Sequence, residues 1–253
     1  MIAEEKNGRE PETIRINKYL ASHGVCSRRE ADAIIASGRV RINGRIAAAG
    51  DRVLETDQVL LDGKAVRKAD RPVLLLFNKP VGIVCSTKKQ RQERTVTDYL
   101  QYPVRIFPVG RLDKDSEGLL LLTNQGELSD RILRAANYHE KEYIVETDRP
   151  VTEAFLQRMS SGVPILDTVT RPCFTERTGP KSFRIILTQG LNRQIRRMCE
   201  QLGCHVTALK RVRIMNLRLE GLPVGKYREA KAEEYEELLQ MLDHAKGAGE
   251  TDE

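Results

Sequence analysis

The sequence predicts an α+β protein in two units, a small module with a helix pair and a hairpin followed by a larger domain whose mixed, mainly antiparallel sheet is flanked by helices. Three observations predict it. A hydrophobic fraction of 40% over 253 residues is enough for two modest cores. The polar stretch Arg67-Lys-Ala-Asp-Arg-Pro72 reads as a linker between different patterns. Beyond it, apolar strand-like runs are followed by single helices without regular strand–helix alternation, which disfavours a doubly wound sheet. The division expected is a disordered N-terminus over 1–12, a first unit over 13–70, a second over 73–242 and a flexible acidic tail over 243–253.

Ile16, Tyr19 and Leu20 have helical spacing, and Gly24 is a stop. Ser27-Arg-Arg-Glu30 is a capping box, in which the Ser hydroxyl and the Glu carboxylate each satisfy a backbone N–H at the start of the next helix. Ala31, Ile34 and Ile35 supply that helix's buried face. Val40-Arg-Ile42 alternates as a strand, and Asn43-Gly44 is a hairpin turn. In the second unit, Val73 to Phe77 and Leu119 to Leu122 read as buried strands, the latter leading into a helix capped by Asn124. Lys141 to Glu146 is a strand, Thr152 caps a helix running to Ser161, and Ser182 to Leu187 is another strand. An arginine-studded helix over 193–202 precedes a strand from His205 to Leu217 and an acidic helix over 232–242.

The longest apolar runs fall far short of the roughly 20 residues that span a bilayer. MIAEEKNGRE lacks the apolar core of a secretory signal. Five scattered cysteines make neither a disulfide framework nor a CxxC metal site, and the four histidines have no triad setting. A cytoplasmic, monomeric protein without membrane or metal is expected. The net charge of +6 conceals an asymmetry: residues 229–253 carry nine acids and two bases, so 1–228 carry +13. Arg15, Lys18, Arg28, Arg29, Arg39, Arg41 and Arg45 form one basic block, and nine bases over 181–218 form another. Two such blocks suit a polyanion, most simply a nucleic acid, although solvated helix faces would read the same way. Arg28 and Arg29 open the second helix, where guanidinium groups and backbone N–H groups can converge on one phosphate.

A Gly-bounded polar loop, Gly110 to Gly118, feeds a strand too apolar to be exposed, so its side chains are both held and reachable. Asp113 in that loop is a candidate reactive carboxylate. Its spacing equally fits a turn aspartate bonded to its own backbone. Asp115 and Glu117 read as solvated loop acids.

Gly110-Arg-Leu-Asp113 with Gly118-Leu-Leu-Leu-Leu-Thr-Asn124 resembles the catalytic motif of the RsuA family of bacterial ribosomal RNA pseudouridine synthases. Asn78-Lys79-Pro80-Val-Gly82, Lys141-Glu-Tyr143 and Gly190-Leu-Asn-Arg193-Gln-Ile-Arg196-Arg197-Met198 match further motifs in order. Residues from Arg15 to Gly44 resemble the S4 (αL-type) RNA-binding module that precedes this catalytic domain. The resemblance covers about 13–240, and Gln189 to Arg193 with Val212 to Asn216 are most similar to the RluF branch of the family, which acts on the large ribosomal RNA.

The resemblance implies isomerisation of one uridine, most simply in large-subunit (23S) RNA and of the pseudouridine-2604 type. It implies no cofactor and no metal. Asp113 would be the catalytic carboxylate, acting as nucleophile or base. Arg196 would keep it ionised, since a carboxylate under a base tends to protonate without a nearby cation. Arg193, Arg196 and Arg197 share a helix face, so one can turn inward while the others meet phosphate. Tyr143 would lie against the extruded base, although a strand tyrosine is commonly core. Lys79 and Arg111 complete the implied RNA-contacting set. The rivals are a noncatalytic RNA-binding or ribosome-assembly protein, and a pseudouridine synthase acting on another ribosomal or transfer RNA site.

Overall fold

A computed structural model describes residues 13–67, 71–86, 93–134 and 138–247. The expected disordered residues 1–12, the middle of the linker and the last six residues lie outside them. The chain divides into two units at Pro72/Val73.

The first unit contains β1 (Ile14–Arg15), α1 (Ile16–Ser22), α2 (Arg28–Ala36), β2 (Val40–Ile42), β3 (Arg45–Ile46), β4 (Arg52–Val53), β5 (Val59–Leu61) and β6 (Lys64–Ala65). Ser27 Oγ accepts from the Glu30 N–H at 3.2 Å and Glu30 Oε2 accepts from the Ser27 N–H at 2.7 Å, completing the capping box. Two of the amides at this helix start are therefore used internally. Asn43 and Gly44, with φ of 48° and 83°, form the two-residue turn between Ile42 and Arg45. Positive φ at both central residues matches the right-handed twist of the flanking strands. Ile16, Leu20, Ala31, Ile35, Val40 and Val53 form the buried centre.

The second unit contains β7 (Leu74–Lys79), α3 (Val96–Leu100), β8 (Phe107–Val109), β9 (Glu117–Thr123), α4 (Gly126–Leu133), β10 (Lys141–Thr147), α5 (Glu153–Ser160), β11 (Pro164–Ile165), β12 (Thr168–Val169), β13 (Phe174–Gly179), β14 (Ser182–Leu187), α6 (Gln194–Gln201), β15 (Val206–Ile214), β16 (Leu217–Arg218), β17 (Tyr227–Glu229) and α7 (Ala232–Gly247). The main sheet runs β13-β14-β10-β15-β9-β7-β17, with β16 on β15 and β8 on β9. The β15–β9 pairing is parallel, and the rest of this sheet is antiparallel. This is the mixed, mainly antiparallel sheet the sequence predicts.

The uninterrupted leucines of β9 follow from burial on both faces. Leu119 and Leu121 pack with α4 and α7, while Leu120 and Leu122 pack with Val96 and Ile106. A third cluster places Ile195, Met198 and Cys199 of α6 against Val145, Ile185 and Leu209 of the sheet.

Four expectations are corrected. Asn124 does not cap α4; its Oδ1 accepts from the Val73 N–H at 2.9 Å, and Gln125 takes the cap position without a side-chain capping bond. The strand expected from His205 to Leu217 breaks at Met215 (φ 52°), whose turn brings Leu217 back opposite Ile214. The tail expected from residue 243 is helical to Gly247, because Leu238 and Leu242 anchor α7 to the core. β13, where no strand is expected, is an edge strand whose alternating polar sequence carries little apolar signal.

Candidate active site

β8 and β9 pair antiparallel, with Val109 opposite Leu121, so Gly110 to Ser116 is the loop joining them. Gly110 has φ 73°, and a Cβ there would sit 2.9 Å from Leu133 Cδ2. The loop is fixed chiefly through its backbone. Lys79, fully buried at the end of β7, donates from Nζ to the Ser116 carbonyl and to the Pro80 carbonyl, both at 2.9 Å. Arg196 Nη2 donates to the Asp115 carbonyl at 2.9 Å, and the Gly82 N–H donates to the Lys114 carbonyl at 2.7 Å. Arg211 Nη1 reaches the Arg111 carbonyl at 3.4 Å, while its Nε donates to the Leu119 carbonyl at 2.7 Å. Three cationic side chains of low exposure thus each place at least one donor on the loop or the strand it enters. Buried guanidinium and ammonium groups are costly to desolvate, so their hydrogen bonds must be kept.

Asp113 stands among these anchors with its side chain 35% exposed. It lines a cleft of about 580 Å³ together with Lys141, Tyr143, Arg193, Arg196 and Arg211. Such a volume lies in the range of small-ligand pockets. Arg193, at the N-cap of α6 with φ 50°, lies 3.7 Å from Asp113 Oδ2 and 3.1 Å from Asp115 Oδ2. Arg196 turns inward from the same helix, 3.4 Å from Asp115 Oδ2, and also reaches Ser116 Oγ at 3.3 Å and the Val206 carbonyl at 3.3 Å. The expected pairing of Arg196 with Asp113 is therefore corrected: Arg196 holds Asp115, and Arg193 is the cation facing Asp113. The inward turn follows from Ile195, Met198 and Cys199, which pull that face of α6 into the core. Burial pushes the Asp115 carboxyl up, but the Arg193 bond and the Arg196 charge outweigh it and hold the carboxyl below its ordinary value. Asp115, expected as a solvated loop acid, is the hub of this ion-pair cluster.

Tyr143 lies on β10 beside Arg211 of β15, whose guanidinium carbon is 6.0 Å from the ring centroid. It is half-buried and lines the cleft. Lys141, two residues earlier, also lines it; burial and the neighbouring Arg211 lower its pKa. Arg111 is exposed at the cleft wall. Arg197 donates to the carbonyl and Oδ1 of Asn192, at 3.1 and 3.2 Å. Lys79 does not fit its expected RNA contact, because its ammonium is enclosed and bonded to backbone.

In the first unit, Arg15, Arg28, Arg29, Arg39 and Arg41 are exposed and Lys18 is half-buried. Arg39 pairs with Asp62, its Nε donating to Oδ1 at 2.9 Å, and Arg41 donates to the Gly44 carbonyl at 2.9 Å. Arg211 and the bridging role of Asp115 are not marked in the sequence, and Lys141 is marked only as part of a matched motif. The available signal was a basic residue at an otherwise inward strand position, 211 on the strand expected over 205–217. Among the described residues no group of His, Cys, Asp and Glu could hold a metal ion, and no helix is long and apolar enough to cross a membrane.

Residues 73–201 match the family model of RNA pseudouridylate synthases, and 14–59 match the S4 domain. The chain is 51% identical over 231 residues to the dual-specificity RNA pseudouridine synthase RluF of Salmonella typhi, covering 90% of this chain and 80% of that protein. It is 33% identical to the ribosomal large subunit pseudouridine synthase B of Bacillus subtilis, covering 92% and 99% of the two chains. A solved structure of a pseudouridylate synthase superposes with a TM-score of 0.67 at 28% identity, covering 89% of this chain and 99% of that one.

Proposed function

The chain belongs to the RNA pseudouridylate synthase family, in the branch of RluF, and on that premise we propose that it isomerises a specific uridine of large-subunit (23S) ribosomal RNA, of the pseudouridine-2604 type, with Asp113 as the reacting carboxylate. The observation that carries the role of Asp113 is its setting. The loop's carbonyls are pinned by Lys79, Arg196 and Arg211, while the Asp113 carboxylate lines the cleft beside Tyr143.

The reaction breaks the bond from N1 to C1′ and forms one from C5 to C1′. C5 gives up a proton and N1 gains one, so atoms balance without oxidant, metal or cofactor. The step needs an ionised carboxylate at the ribose, either attacking C1′ or removing the 2′ proton. Arg193 supplies positive charge beside Asp113, its guanidinium 3.7 Å from the Asp113 carboxylate. Tyr143 offers a ring face to the base once it is extruded from the RNA. The exposed arginines of the S4 unit would hold phosphate, with affinity falling as salt rises. The setting of the reaction would be the cytoplasm.

The large-subunit assignment is supported by the name of the Bacillus subtilis relative, and a second RNA target by the dual specificity in the name of the Salmonella typhi one. The test is carbodiimide-dependent mapping of pseudouridine in total RNA from cells with and without the gene. One stop lost from large-subunit RNA, restored by the wild type but not by Asp113→Asn, is expected. A stop lost from small-subunit RNA would refute the substrate, and no lost stop in any RNA would refute the reaction.

A further inference from the structure

We propose that Tyr138, backed by Arg171, forms a stacking platform at the mouth of the cleft for the nucleobase adjacent to the extruded uridine. The proposal rests on the isomerase reading above and adds a subsite to it.

Tyr138 is 59% exposed, so much of its ring is open to solvent. The Arg171 guanidinium carbon lies 4.1 Å from its ring centroid, in cation–π geometry. One ring face is thereby occupied and the ring's orientation set, while its exposure leaves room for a flat partner. Both members of the stack are tied to the cleft wall. The Arg171 N–H donates to Gln189 Oε1 at 3.3 Å, and Gln189 lines the cleft. His139, the residue after Tyr138, also lines the cleft; it is 7% exposed and its Nδ1 is 2.9 Å from the Ile132 carbonyl. Tyr138 itself has φ 51°, a left-handed conformation that costs a bulky side chain and persists only where the surroundings impose it.

The ligand class follows from the reaction. Extruding a uridine leaves its neighbour with one stacking face uncovered, and an aromatic ring beside the entrance can replace the lost partner. Stacking is tolerant of base identity, so the platform would serve more than one RNA sequence. Arg171 adds positive charge near the phosphate of that same neighbour.

The test uses the full-length protein and an RNA stem-loop carrying the uridine mapped above, with 2-aminopurine placed on either side of it in turn. Wild type is expected to quench one of the two probes on binding. Tyr138→Leu, which keeps bulk but removes the π face, is expected to lose that quench and to raise KM about tenfold, with Tyr138→Trp restoring both. An unchanged melting temperature for Tyr138→Leu would separate these effects from misfolding. Pseudouridine formed at the wild-type KM by Tyr138→Leu, or with no probe quenched by the wild type, would overturn the platform and leave the isomerase standing. Absence of pseudouridine from the wild-type reaction would overturn the isomerase reading and the subsite with it.

Discussion

The ammonium of Lys79 meets the carbonyl of Ser116 at 2.9 Å inside the protein, joining the end of β7 to the last residue of the loop that carries Asp113. A lysine in this position does not touch substrate; it sets where the loop stops. Burial lowers its pKa, with Cys85 and the two loop aspartates opposing the shift. Lys79→Met removes a desolvated charge and two hydrogen bonds together, so the two effects offset. Stability should change by less than about 2 kcal/mol in urea titration. Single-turnover kcat should nevertheless fall about a hundredfold, as displacement of reacting groups by about 1 Å would cause.

Asp113→Asn should abolish pseudouridine formation while leaving RNA affinity within about threefold, since one half-buried loop carboxylate contributes little to phosphate binding. Filter binding and product mapping on the same preparations check both halves. Turnover above a hundredth of wild type would sink the assignment.

Arg196→Met should cut kcat more than Arg28→Ala does. Arg196 holds the Asp115 carbonyl, Ser116 and the Val206 carbonyl from a buried position. Arg28 is exposed at the start of α2, so its loss should act on affinity and flatten the dependence of log K on log salt by about 0.7–0.9. The reverse ranking in kcat would move the decisive cation into the S4 unit.

Gly118→Ala should leave little soluble protein. Gly118 has φ 111°, and a Cβ there would lie 2.2 Å from the Arg211 carbonyl oxygen and 2.7 Å from its nitrogen. Both obstacles are backbone of the paired strand β15, which cannot rotate away. Conformational strain and overlap together should cost about 3 kcal/mol or more, read as loss of cooperative melting.

Glu142 and Arg213 form an enclosed pair at 2.7 Å, with side chains 8% and 11% exposed. Burial pushes the Glu142 carboxyl up, but the Arg213 bond and the surrounding arginines outweigh it and hold it below 4.5. The folded form therefore binds fewer protons than the unfolded chain in that window. The pair's stabilisation is fully present above about pH 4.5 and is lost as pH falls through the lowered folded value. Glu142→Gln should cost about 1–3 kcal/mol at neutral pH and flatten the acid limb of the melting-temperature profile. An acid limb of unchanged steepness would assign that sensitivity to other carboxylates.

Much of this was legible because the informative segments are buried on both sides or capped by local chemistry. The leucines of β9, the Ser27 box and the Asn43-Gly44 turn each state their geometry within a few residues. The loop of Asp113 was legible as a held, reachable segment, but how it is held was not. Its anchors come from β7, α6 and β15, and only tertiary structure shows that Arg196 faces Asp115 while Arg193 faces Asp113. β13 escaped because an edge strand exposed to solvent needs no apolar alternation, and Asn124 misled because its side chain has a distant partner at Val73.

The bond from Arg211 to Leu119 spans 92 residues, and the parallel pairing of β9 with β15 is of the same range. As the chain emerges during synthesis, Leu119 to Leu122 therefore leaves the ribosome long before the strand that will cover its edge. In that interval four consecutive leucines stand in an unfinished sheet, the condition under which nascent chains associate wrongly. The strand whose leucines are fully buried in the mature protein is thus a point of chaperone demand while it is being made.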